Sequence, residues 1–386
     1  MNRGFIGEPE KVGVDRGGLG KAMRLLEEQR ERGLHDGAQL FVARKGGPLL
    51  DAAIGEAQPG VSLRTDSVML WLSSTKPLTA VAIAQQMERG KLNLDDRIQS
   101  FIPEFAAGKE SATIRHVLTH TGGFPMNTFP FLRYDWDDTI RKICDEPAEW
   151  EPGTAAGYHG VSGWSILGEI IRRLDGRPID VYLKEEIFNP LGMNDSSLGL
   201  SEARVAKLGD RLSRVSAKSD EARMVNLEAW NDPRSARRIL PGANGYGPAH
   251  DLGRFYLALW NGGEWEGTRI LHKETVDLFT ATHRHGMVDR VNSVVFGTEV
   301  TPPWGLGFMK GSDTDEPVAL RYGSKCTSAA YGHGGAFSSV GFVEPSRDLI
   351  VVIVTNGFPR NTDNTHRLRD ISDAIHNSCS CSCSCH

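Results

Sequence analysis

Ser73 and Lys76, in the stretch Trp71-Leu72-Ser73-Ser74-Thr75-Lys76-Pro77-Leu78-Thr79-Ala80, are the residues whose types and spacing speak most directly of chemistry. Side chains three apart share a helix face, so the hydroxyl and the amine are expected to be neighbours. That pairing is a nucleophile beside a proton acceptor, and a helix N-terminus adds partial positive charge that favours the oxyanion formed on attack. Ser-x-x-Lys arises about once by chance in a chain of this size, and this is its one occurrence in the sequence. Its context gives it weight: it follows the apolar run Val68–Leu72 and opens a helix-forming segment with Leu78, Val81, Ala82, Gln85 and Met87.

Three further segments carry candidate chemistry. The turn-rich loop Glu151-Pro152-Gly153-Thr154-Ala155-Ala156-Gly157-Tyr158-His159-Gly160 precedes a predicted helix and presents Tyr158. A tyrosine there is either a surface ring or a phenol aimed into a cleft. If it meets Lys76, the ammonium is expected to favour phenolate, lower the phenol below its usual ~10 and supply a general base near Ser73. The run Tyr331-Gly332-His333-Gly334-Gly335-Ala336-Phe337 lacks side chains at three positions, so substrate could approach the backbone and N–H groups could bind an oxyanion. His120, in Leu118-Thr119-His120-Thr121-Gly122-Gly123, is read as fixing its loop by hydrogen bonds. His35, His272, His283 and His285 show no ligand spacing, and no metal or cofactor is expected.

The elements that must position these residues follow from pattern. Leu19 to Arg32 reads as an amphipathic helix carrying Met23, Leu25 and Leu26. Residues 39–44 and 48–55 read as a β-hairpin around Lys45-Gly46-Gly47. Residues 338–343 and 348–356 form a second strand pair about the turn Glu344-Pro345-Ser346-Arg347, with a last helix from about Asn364 to Ile375. From Lys76 to about Leu240 the pattern is helical, including Ser162 to Leu174 and Ile179 to Ile187. An α+β fold is expected: a sheet region from 1–75 and 241–375, a mainly helical region 76–240, and a disordered Ser/Cys tail 376–386.

Composition narrows the class. Of 386 residues, 39% are hydrophobic and 24% charged, ordinary for a globular protein with a large core. A formal charge of -5 gives no general attraction to nucleic acid or an anionic membrane. Met1–Pro9 has no apolar h-region and no stretch approaches the ~20 apolar residues of a spanning helix, so a cytoplasmic location is expected. Cys144 and Cys326 fall within the expected folded body. Cys379, Cys381, Cys383 and Cys385 alternate with serine before His386, a tail read as unfolded rather than as a soft-metal thiolate loop.

Taken together in this order, these pieces resemble the serine β-lactamase and penicillin-binding-protein-like family, most of all its class C β-lactamase, D-aminopeptidase and carboxylesterase branch. The likeness rests on Ser73-Ser74-Thr75-Lys76, the segment Ile114 to Gly123, Pro152-Gly153-Thr154 to Tyr158, Leu167-Gly168-Glu169-Ile170-Ile171 and His333-Gly334-Gly335, and spans about residues 10–375. The resemblance implies an antiparallel sheet flanked by helices beside an all-helical region, with the cleft between them. It implies Ser73 as acylated nucleophile, Lys76 as its proton partner and Tyr158 as the tyrosine base. It also implies His333-Gly334-Gly335 as the edge-strand motif, with the N–H groups of Ser73 and Ala336 as oxyanion donors.

Two departures bear on substrate. The family's Tyr-x-Asn reads Tyr158-His159-Gly160 here, so the amide that grips a β-lactam's acylamino group is absent. The edge-strand lysine is His333, whose usual ~6.5 leaves it mostly neutral at pH 7, so a fixed cation for the β-lactam carboxylate is missing. The expected function is a metal-independent serine hydrolase acting on small carboxylic esters through an acyl-enzyme. The alternatives are a β-lactamase, a D-amino-acid amidase or peptidase, an acyltransferase, or a silent homologue that binds a ligand or metal. Trp71, Phe124, Phe129, Phe131, Tyr134, Trp136, Trp304 and Phe337 are candidates to line the cleft.

Overall fold

The computed structural model describes residues 2–124, 134–314 and 316–379. Its frame is an antiparallel sheet built from both ends of the chain. The sheet strands are β1 (Asn2–Phe5), β2 (Gly37–Arg44), β3 (Gly47–Gln58), β4 (Met309–Lys310), β5 (Tyr331–Gly335), β6 (Ser339–Glu344) and β7 (Leu349–Thr355). Their spatial order is β1-β3-β2-β7-β6-β5-β4, with the short strand Val61–Ser62 also paired to β3. The expected hairpin forms, but its turn is Lys45-Gly46 rather than the two glycines. Both residues sit at positive φ, 50° and 76°, the pattern that matches strand twist in a two-residue hairpin.

Every residue of β2, β6 and β7 is buried, so this sheet core is covered on both faces. Helices α1 (Arg16–Glu31) and α5 (Asn361–Ser378) cover one face, where Leu19, Met23 and Leu26 pack with Leu368, Ile371 and Ile375. The other face receives α4 (Ala249–Trp260), and beyond it lie α2 (Lys76–Glu88) and α3 (Ser162–Asp175). Helix α2 is buried all round from Lys76 to Gln86, as an apolar helix without a polar face must be. The predicted helix at Ile179 changes character at Lys184, continuing to Phe188 as a single wide π turn.

The tail begins later than predicted. Helix α5 runs through Ser378, whose carbonyl accepts the Asp15 N–H at 2.8 Å, and Cys379 is buried and bridged to Val14. Residues 376–379 thus belong to the folded body, as does a third cysteine. Cys381, Cys383, Cys385 and His386 lie outside the described residues. No described helix is long and apolar enough to cross a membrane.

Candidate active site

The geometry around Ser73 starts with backbone. Residues Leu72–Thr75 form a 3-10 turn that runs directly into α2 at Lys76. A 3-10 turn has three residues per revolution, so positions three apart eclipse more closely than in an α-helix. Lys76 Nζ accordingly lies 3.0 Å from Ser73 Oγ. Leu72, immediately before the serine, is held at φ 48°, a conformation costly for a branched side chain.

The strain is held by a network of side chains. Thr75 Oγ1 donates to Leu72 O at 2.6 Å and accepts Gly245 N–H at 2.8 Å. Ser339 Oγ donates to Trp71 O at 2.6 Å. Ser74 Oγ lies 2.9 Å from Ser339 Oγ and donates to His333 O at 3.1 Å. These hydroxyls staple the Ser73 turn to β5 and β6. A Cβ on Gly335 would come within 2.5 Å of Trp71 O, so only glycine allows β5 this approach.

Lys76 is fully buried. Besides Ser73, its amine meets Gly160 O at 2.8 Å and Gly242 O at 2.7 Å, and no carboxylate among the described residues pairs with it. Burial alone drives the amine well below the usual lysine range. A neutral amine has two N–H bonds and one lone pair. The two carbonyls take the N–H bonds, which leaves the lone pair for the Ser73 hydroxyl to donate into.

Tyr158 arrives on the loop between Pro152 and Gly160 beside Ser73, with Lys76 Nζ 5.0 Å from its ring centre. Its loop is tied down from both sides. His120 Nδ1 accepts His159 N–H at 2.9 Å, the loop-fixing part read for it, and Asp289 Oδ1 accepts Tyr158 N–H at 3.2 Å. Asp289 is itself paired with Arg284 at 3.1 Å, with both side chains almost wholly buried. The expected phenolate is corrected here: burial pushes the Tyr158 phenol above its usual value, only partly opposed by the neighbouring Ser73 hydroxyl and by Arg321. With Lys76 lowered and Tyr158 raised, the proton is favoured on the phenol and the amine is left neutral.

His333, buried on β5, donates from Nδ1 to Gly334 O at 2.8 Å. Burial, reinforced by Arg321, holds it neutral. The motif is not strictly on the sheet edge: β4 pairs with Tyr331 and Gly332 but stops before His333, so His333–Gly335 leave their outer side unpaired. Gly334 is bare because the Arg321 guanidinium occupies the space of its Cβ.

Ala336 and Phe337 form the turn between β5 and β6, closed by Ser338 N–H to Gly335 O at 3.5 Å. Such a turn leaves its second N–H, that of Ala336, unpaired. The Ser73 N–H, second in its 3-10 turn, likewise has no intrahelical acceptor.

Of the candidate cleft aromatics, Trp304 reaches the site, 5.9 Å from Tyr158 and 5.4 Å from His333 between ring centres, and Phe337 follows Ala336. Trp71 is buried behind the turn, donating to Gly247 O at 2.9 Å. Phe124 stacks in the core on Phe105, and Trp136 bonds Glu169 on the helical flank. Phe129 and Phe131 lie outside the described residues. Ser74, Ser339, Asp289 and Arg284 were not singled out from sequence. Of these, Ser74 alone carried a signal, its place beside the nucleophile.

Known proteins share this arrangement of chain. Esterase EstB of Burkholderia gladioli is 26% identical over 90% of this chain and 93% of its own. A penicillin-binding protein homologue from Caulobacter crescentus superposes with TM-score 0.77 at 29% identity, covering 95% of this chain and 99% of that one. A family VIII carboxylesterase superposes with TM-score 0.78 at 26% identity over the same shares. Residues 23–375 match the family described as Beta-lactamase, and the chain belongs to that family.

Proposed function

We propose that this protein is a serine hydrolase that cleaves carboxylic esters through an acyl-enzyme on Ser73. The observation that carries the reading is the Lys76 amine, fully buried, 3.0 Å from Ser73 Oγ, with two carbonyls as its remaining partners. Ser73 Oγ attacks the ester carbonyl while its proton passes to Lys76 Nζ. The oxyanion is met by the N–H groups of Ser73 and Ala336, and Tyr158 hands a proton to the departing alkoxide and recovers one from Lys76. Water then attacks the acyl group by the reverse route.

Substrate charge follows from the walls. His333, at the place of the family's edge-strand lysine, is neutral, and His120 and His159 are buried and neutral beside Tyr158, so none of these three offers a cation to grip a carboxylate; the nearby Arg321 guanidinium is buried against Gly334. Neutral esters fit that environment better than β-lactams or peptides with a free C-terminus. The relatives named as esterase and carboxylesterase support the same choice. Hydrolysis of p-nitrophenyl acetate and butyrate, with nitrocefin alongside, tests it. Wild type is expected to turn over the esters well ahead of nitrocefin, and Ser73→Ala to lose on the order of 10⁴-fold or more. Ester turnover that survives Ser73→Ala contradicts the reading. Nitrocefin turnover equal to ester turnover moves the substrate to β-lactams, and transfer to added alcohol outrunning hydrolysis moves it to acyl transfer.

A further inference from the structure

Arg367 lies on α5, on the far side of the sheet from Lys76, yet it controls the turn that carries Ala336. Its guanidinium is buried, makes no ion pair with a carboxylate among the described residues, and spends its N–H groups on neutral acceptors. Nη2 donates to Phe337 O at 2.9 Å, Thr355 Oγ1 at 2.7 Å and Gly357 O at 3.1 Å. Nη1 reaches Leu34 O at 3.1 Å and His35 Nδ1 at 3.0 Å, and Nε donates to Asn364 Oδ1 at 2.9 Å. Thr355 Oγ1 in turn donates to Ser338 O at 3.0 Å. The two carbonyls that follow Ala336 are thus held from one guanidinium, directly at Phe337 and through Thr355 at Ser338.

Phe337 needs holding. It sits at φ 66°, where a bulky side chain is disfavoured unless its surroundings impose it. Relaxing that residue would turn the two peptide planes that flank it and, through Ala336, disturb the neighbouring Gly335–Ala336 plane that carries the Ala336 N–H. An oxyanion donor works only if it is aimed before charge develops.

We infer that Arg367 is a positioning residue for the oxyanion turn: its buried, planar guanidinium holds the Phe337 and Ser338 carbonyls, and so fixes the turn on which the Ala336 N–H is presented, while touching no substrate. The inference rests on the reading of Ala336 N–H as an oxyanion donor. A lysine cannot replace it, because a single ammonium cannot span Phe337, Leu34 and Asn364 at once.

The test uses the full chain and p-nitrophenyl butyrate, with Ser73→Ala as control, and compares Arg367→Ala, Arg367→Lys and Thr355→Val. For Arg367→Ala, kcat is expected to fall about 10²-fold with KM within about threefold, the range of losing one oxyanion donor. Labelling of Ser73 by a fluorophosphonate should slow by a similar factor. Added guanidinium ion should restore part of the kcat of Arg367→Ala and none of that of Ser73→Ala. Thr355→Val, which keeps the side-chain shape, is expected to lower kcat about tenfold and carries the test if the arginine variants do not fold. Folded variants with wild-type kcat, or losses that appear in KM alone, overturn the inference. Wild-type hydrolysis that does not need Ser73 sinks instead the reading beneath it.

Discussion

On the helical flank, Glu169 is almost fully buried but accepts from Trp136 Nε1 at 2.7 Å, Arg172 Nη2 at 2.7 Å and Arg173 Nε at 2.6 Å. Arg173 goes on to Glu104, and nearby Arg177 gathers Asp175, Glu185 and Glu186. Around the cleft the opposite holds. Apart from the Arg284–Asp289 pair, the buried cations there, Lys76 and Arg321, have no carboxylate partner among the described residues, nor has Arg367 across the sheet, and among the same residues His120 Nε2, both His159 ring nitrogens, Trp164 Nε1, Trp304 Nε1 and His333 Nε2 have no protein partner. Leu72, His120 and Phe337, three of the positive-φ residues that are not glycine, are in the same place. The flank spends charge on stability, whereas the cleft keeps groups in states that water would not allow. A neutral lysine is the product of that second arrangement.

Breaking each region should therefore have opposite signatures. Lys76→Met is expected to lower ester turnover 10²–10⁴-fold, the usual worth of a general base. Its melting temperature should hold or rise, because an apolar chain of similar length replaces a buried amine that folding must strip of its proton. A large loss of stability with the loss of activity would contradict the contrast. Glu169→Ala should do the reverse: about 1–3 kcal/mol of stability lost in urea unfolding, from orphaned Trp136 and Arg172 and an Arg173 left with Glu104 alone, with kcat/KM unchanged.

Acid sharpens the comparison further. Burial, with Arg284 adding to it, pushes His159 down to about 3, so it is neutral in the fold. The unfolded chain binds a proton at about 6.5, so the unfolded state takes up more protons below that pH and stability falls as pH drops from about 6.5 toward 3. Between pH 7 and pH 5 this one histidine costs about 2 kcal/mol. His159→Gln should flatten that part of the pH–stability curve, measured by urea midpoints. An unchanged slope would mean the imidazole is not held neutral.

How much of this was legible depended on the range of the interaction. The Ser73–Lys76 pairing needs only one turn of chain, and the spacing of three survives the change from α to 3-10 geometry. The apolar run Leu349–Val354 announced a buried strand, and Glu344-Pro345-Ser346-Arg347 announced its turn. The protonation of Tyr158 was read the wrong way because it depends on what buries it, and those residues (His120, Trp304, His333) come from three distant segments. The Ser74–Ser339 staple joins residues 265 apart, which no local pattern encodes. Arg367 did leave a trace. It shares the i, i+4, i+8 stripe with Ile371 and Ile375, and a charge on an apolar stripe marks a buried cation with a task.

The central claim is that Ser73 becomes acylated with Lys76 as its base. The direct measurement is acid quench of the enzyme during turnover of p-nitrophenyl butyrate, followed by peptide mass spectrometry. The account predicts a butyryl group on the Ser73 hydroxyl in wild type, and a much slower build-up of the same adduct in Lys76→Met. An acyl group on any other residue, or turnover with no acylated peptide when the burst of p-nitrophenol shows an intermediate, would contradict it.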